Sequence, residues 1–109
     1  KIKNLAIENA TLNAIYTPMK VMQISLESMD LIHELVKKGN PNSVSDVGVA
    51  AMCARSAVLG AHLNVIINAK DYSNKEKRDK LLNKAIVIKE KAIQKENTIL
   101  LHTIKKISL

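Results

Sequence analysis

A chain of 109 residues holds one domain at most, and its 47% hydrophobic content is enough for a core, while 17 Lys and Arg against 10 Asp and Glu give a formal charge of +7. A single cysteine, Cys53, excludes an internal disulfide and suits a reducing compartment, so a cytoplasmic protein is expected. Nothing resembles a signal peptide, and Arg55, His62 and Asn64 interrupt the most apolar stretch, short of the ~20 uninterrupted residues of a membrane span, so no membrane role is expected.

In chain order, Leu5, Leu12 and Ile15, with Ala6 and Ala10 between, follow a helical period and predict a first helix over 2–16. Thr17-Pro18 then reads as the start of a second helix, since threonine is a good N-cap and proline is welcome at the first helical position; the alternative is one long helix kinked at Pro18. Met22, Leu26, Met29, Ile32 or His33, and Val36 mark its buried face. Lys37-Lys38-Gly39 reads as its end, cations complementing the dipole before a residue that tolerates the left-handed conformation.

Asn40-Pro41 is a turn-initiating pair, so a new helix is expected after it. Ser43 followed three residues later by Asp46 has capping-box spacing. Beyond this point Ala50, Ala54, Ala57 and Ala61 form a small-residue stripe, with Gly48 and Gly60 allowing close neighbours, which predicts a helix to about Asn68 that is surrounded by others. Residues 68–73 read as a turn, and Ser73 with Glu76 repeats the capping-box pattern for a last, long helix. Its stripe of Ile86, Ile93, Leu100 and Ile107 is flanked by Leu82, Ala85, Ala92, Ile99 and Ile104, and Gln94-Lys95-Glu96-Asn97 is its weakest point. With no strand pair and no Gly-rich phosphate loop, the expectation is an all-α, multi-helix bundle forming a single segment over 1–109.

The charge is lopsided. Acidic and basic side chains nearly balance through residue 69, whereas basic ones lead by about two to one afterwards. With two tyrosines as the only aromatic residues besides histidine, and two arginines, the chain lacks the stacking platform of most single-strand binders, so no nucleic-acid partner is expected. No His, Cys and carboxylate set has metal-ligand spacing, so no metal is expected either. Cys53 reads as a small buried hydrophobe, and His33 and His102 as dipole or surface histidines.

Candidate site residues cluster around the turn. Asp46 is the only carboxylate in the stretch from Gly39 to Asn68, which makes it the local candidate for acid or base chemistry, although a capping role explains the same spacing. Asn40, Asn42, Ser43 and Ser45 place amides and hydroxyls ahead of a helix N-terminus, where they can form a turn or line a pocket. Arg55 and His62 share a face near Asn64 and Asn68; interhelical bonding and substrate contact are both open to them.

The stretch GNPNSVSDVGVAA followed by ARSAVLGAHLNVIIN resembles the signature of the formiminotetrahydrofolate cyclodeaminase and methenyltetrahydrofolate cyclohydrolase family, close to NPxSVSDAGVAALxARAAxxGAxLNVxIN. The resemblance implies an enzyme of folate one-carbon metabolism with a tetrahydrofolate derivative as substrate, and favours pocket lining by Asn40, Asn42, Ser43 and Ser45, with Arg55 and Asn64 the further substrate-binding candidates from their place on the helix. It also implies that this chain corresponds to the C-terminal half of a larger helical domain that dimerises. The other half would carry an aspartate in a DxxAY-like helix, so the isolated chain is expected to be inactive; and because four helices cannot fully enclose a central helix that is apolar nearly all round, the expected state is a homodimer or a complex with that missing N-terminal half. At Leu59, His62 and Ile66 the sequence departs from the pattern, where an arginine, an aromatic and a basic residue are commoner; a non-enzymatic interaction module built on the same fold is the alternative.

Overall fold

A computed structural model describes residues 2–108 as three long helices and no strand: α1 (Ile2–Lys38), α2 (Val44–Ala69) and α3 (Lys75–Ser108). The all-α expectation holds, with one helix fewer than predicted. Thr17-Pro18 does not break α1. A proline inside a helix removes one backbone hydrogen bond and costs about 3 kcal/mol, so something must offset it. The carbonyl that Pro18 orphans is that of Ala14, and the Asn68 side chain of α2 donates to it at 2.8 Å. That donor comes from a residue far along the chain, which is why local propensity misplaces the break.

The helices run alternately up and down, and the bundle measures 64 × 18 × 16 Å. Its accessible surface is 7212 Å², against about 6,000 Å² for a compact monomer of this mass. The core is a seam of Ile15, Met22, Met29 and Val36 from α1, Val44, Ala51, Val58 and Val65 from α2, and Ala85, Ala92 and Ile99 from α3. The predicted face of α1 is therefore the real one. On α3 the seven-residue repeat of the predicted stripe lies one residue off the core, with Ile86, Ile93 and Ile107 exposed and Leu100 half-buried, whereas its predicted flanks Ala85, Ala92 and Ile99 are inside together with Leu81, Ile88 and Thr103. Small residues win that seam because α3 lies close against α2. A Cβ added to Gly48 would stand 3.0 Å from the Thr103 Cγ2. The polar interruption foreseen at Gln94 to Asn97 is bridged by ion pairs, Lys95 to Asp30 of α1 and Glu96 to Arg55 of α2, and the helix runs through it.

The helix ends differ from their predicted chemistry. Among the described residues no glycine has positive φ, so Gly39 is not a left-handed cap; it is needed because a Cβ there would lie 2.5 Å from the Leu35 carbonyl oxygen. The capping box at Ser43 is not formed, for the Ser43 hydroxyl donates backwards to the Asn40 carbonyl at 3.2 Å instead of accepting from α2. At α3 the cap lies one residue later than expected. Asn74 accepts from the Lys77 amide at 3.1 Å, and the Ser73 hydroxyl is drawn away to Glu8.

Candidate functional site

Asn40 builds the turn between α1 and α2. Its side-chain oxygen accepts from the Asn42 amide at 3.0 Å, and its carbonyl accepts from the Ser43 amide at 2.9 Å as well as from the Ser43 hydroxyl. Local side-chain bonds of this kind set a turn without help from the rest of the fold. Asn40 and Ser43 are thereby committed, and Asn42 in the turn and Ser45 and Asp46 in the first turn of α2 are left exposed to solvent. Asp46 sits where a carboxylate complements the helix dipole, but its side chain makes none of the predicted reciprocal capping bonds.

Because α1 and α3 both end where α2 begins, the turn is ringed by cations. Lys37 and Lys38 close α1, Lys105 and Lys106 close α3, and the Lys106 ammonium donates to the Lys37 carbonyl at 2.8 Å. A cavity of about 370 Å³ lies at this end, lined by Val36, Lys37, His102, Lys105 and Lys106. Beside it half-buried His33 meets His102, both at the surface as expected, Nε2 to Nδ1 at 3.1 Å. Burial, then the nearby Lys37 and His102, hold His33 below its ordinary pKa, with Glu34 pulling the other way.

The remaining predicted site residues lie elsewhere. Arg55 points at α3 and pairs with the Glu96 carboxylate at 3.2 Å, a contact without hydrogen-bond geometry that leaves the buried Arg55 Nε–H unsatisfied. It serves the helix interface. Asn64 is some 19 residues along α2 from Ser45, or ~28 Å at 1.5 Å per residue, and opens into a groove between α1 and α2 lined by Thr17, Pro18, Val21, Ala57 and Ala61. One pocket within this chain cannot include both Asn64 and the turn. Cys53, expected to be buried, is exposed on the outer face of α2 with Val49, Met52, Leu63 and Ile67. Asn68 makes the interhelical bond that was open to it, but its spacing from Asn64 gave no sign that its partner is a proline-orphaned carbonyl.

The formiminotransferase-cyclodeaminase family model matches residues 1–86, which includes the whole turn and all of α2. The chain belongs to the formiminotransferase-cyclodeaminase family. Within or around that family, it is 38% identical over 64 residues to methenyltetrahydrofolate cyclohydrolase of Methylorubrum extorquens, covering 59% of this chain and 31% of the relative. To formimidoyltransferase-cyclodeaminase of Rattus norvegicus it is 31% identical over 72 residues, 66% of this chain and 13% of the relative. The Dictyostelium discoideum protein of the same name is 31% identical over 96 residues, 85% of this chain and 18% of that protein. The chain thus spans a third or less of the length of these relatives. By length and composition α2 could cross a bilayer, but the core helix of a bundle passes the same test, and the inward face of α2 is packed against α1 and α3.

Proposed function

We propose that this chain is part of a folate one-carbon enzyme, a methenyltetrahydrofolate cyclohydrolase or a formiminotetrahydrofolate cyclodeaminase, whose substrate is a tetrahydrofolate derivative. The observation that carries the reading is the turn: Asn40 and Ser43 hold it by bonds among themselves, and this leaves Asn42, Ser45 and Asp46 free to meet a ligand. Cyclohydrolase chemistry adds water to the electron-poor methenyl carbon and opens the ring. Cyclodeaminase chemistry has N10 attack the formimino carbon and expel ammonia. Each needs a positioned proton donor and acceptor and a surface that holds the pterin still. We assign Asp46 to the first task and Asn42 and Ser45 to the second. Lys37, Lys38, Lys105 and Lys106 favour the acidic glutamyl end of the substrate by charge.

The turn residues are exposed to solvent, which favours a site completed by a second surface. A second copy, or further polypeptide of the same domain, would seat on the apolar outer face of α2 and close it. The exposed thiol of Cys53 supports a reducing, cytoplasmic setting. The same outer face favours the competing reading, an interaction module that kept the fold and lost the reaction. Assay separates them. Loss of methenyl absorbance, with ammonia followed in parallel on the formimino substrate, should be ~10²- to 10⁴-fold lower for this chain alone than for the chain supplied with the remainder of the domain. Full activity from the chain alone would refute the need for a second surface, and none from the completed domain would favour the interaction module.

A further inference from the structure

Three polar contacts tie α1 to α3 on the way to the turn: the ion pair of Lys95 with Asp30, the facing ring nitrogens of His33 and His102 at 3.1 Å, and the Lys106 ammonium on the Lys37 carbonyl at 2.8 Å. The first and last keep their charges between about pH 5 and 8. The middle one does not, because imidazole is the side chain whose ordinary pKa falls in that range. In the neutral pair one nitrogen donates and the other accepts. A first added proton settles on the far nitrogen of the donor ring and leaves this bond in place. A second takes the accepting lone pair, so that two N–H groups, each on a cation, face one another across 3.1 Å.

We propose that His33 and His102 form an acid-released clasp: with at most one added proton they hold α1 to α3 beside the turn, and doubly protonated they part and loosen the last turns of α3 next to Asn40 to Asp46. The surroundings oppose the second charge. From α1, Lys37 faces the pair, and the carboxylate of Glu34 that pulls the other way is shared with Lys37 at 3.5 Å and Lys38 at 3.9 Å. From α3, Lys105 and Lys106 line the cavity beside His102, while Lys91 and Lys95 line one of about 480 Å³ beside His33, Lys95 being held by Asp30. The charges that act on His33 are Lys37, His102 and Glu34, none of them from α2. Burial first, then Lys37 and His102, hold His33 below 6.5, so the parted form takes up the proton more readily than the clasped one. The clasp is therefore complete above about pH 6.5 and is lost as pH falls through the lowered value. The opening stays local, because Lys95 and Asp30 remain paired on the side away from the turn and the buried seam of Met29 and Ile99 is apolar. The clasp does not rest on the folate reading.

NMR of the intact chain between about pH 8 and 5 tests this. The ring resonances of His33 and His102 should titrate together in two steps. Amide protection factors from Ile99 to Lys106 should fall several-fold between about pH 7 and 5, while those from Met19 to Leu26 hold. His33→Gln and His102→Gln, each checked for helicity by circular dichroism, should remove most of that fall, since glutamine takes up no proton. Protection at the end of α3 that ignores pH would overturn the clasp. So would a fall that persists in both variants, or one that His62→Gln abolishes.

Discussion

Gly48 is buried and Gly60 exposed on another side of the same helix, and the contrast between them describes α2. Gly48 is buried, and the Thr103 side chain of α3 occupies the space a Cβ would need. At Gly60 a Cβ would meet nothing within 4 Å among the described residues. A glycine in a helix interior costs about 1 kcal/mol relative to alanine. On the inner face that cost is offset by close packing with α3; on the outer face nothing in this chain offsets it. Around Gly60 lie Val49, Met52, Leu63 and Ile67, between 43% and 66% exposed. Half of α2 is thus a finished interface and the other half has the composition of one.

Substitutions should separate the two faces. Gly48→Val forces a branched side chain into Thr103 and should destabilise the chain by about 2–3 kcal/mol in urea titrations, the cost of overpacking. A loss under 0.5 kcal/mol would mean that α3 is not seated as described. Asn68→Ala removes the donor to the Ala14 carbonyl and should cost about 1 kcal/mol, with most of the loss absent when Pro18→Ala is made as well. Equal losses in both backgrounds would show that Asn68 does not compensate for the proline.

Gly60→Ala should do the reverse of Gly48→Val. In this chain alone it should raise stability by about 0.5–1 kcal/mol, and in a closed assembly it should weaken association or activity. Destabilisation of the isolated chain would place an unseen contact on the outer face. The smallest effect is expected from His62, buried on the inner face. Burial first, then Lys89 of α3, lowers its pKa from 6.5, so the unfolded chain binds a proton there more readily than the folded one. Stability should be constant above about pH 6.5 and fall as pH drops from there through the lowered value. His62→Gln should flatten that part of the pH profile, and an unchanged slope would leave His62 without a role in it.

Helix content, the inner face of α1 and the polar turn could be read from the residues themselves, because period, breakers and side-chain-to-backbone bonds act over a few positions. Asn40 and Pro41 make their turn in any context, and Met22, Leu26, Met29 and Val36 declare their face by spacing alone. The buried side of α3 could be read this way only in part, at Ala85, Ala92 and Ile99. Isoleucines seven apart looked like the core, yet the approach of α3 to Gly48 admits Ala85, Ala92 and Thr103 and turns Ile86, Ile93 and Ile107 outward. The continuity of α1 through Pro18 depended on Asn68, 54 residues beyond the carbonyl it rescues. The pairing of His33 with His102 and of Arg55 with Glu96 likewise joined residues with no sequence relation. Local chemistry decides where a helix can exist; which of its sides is inside, and which polar groups find one another, is decided only when the helices meet.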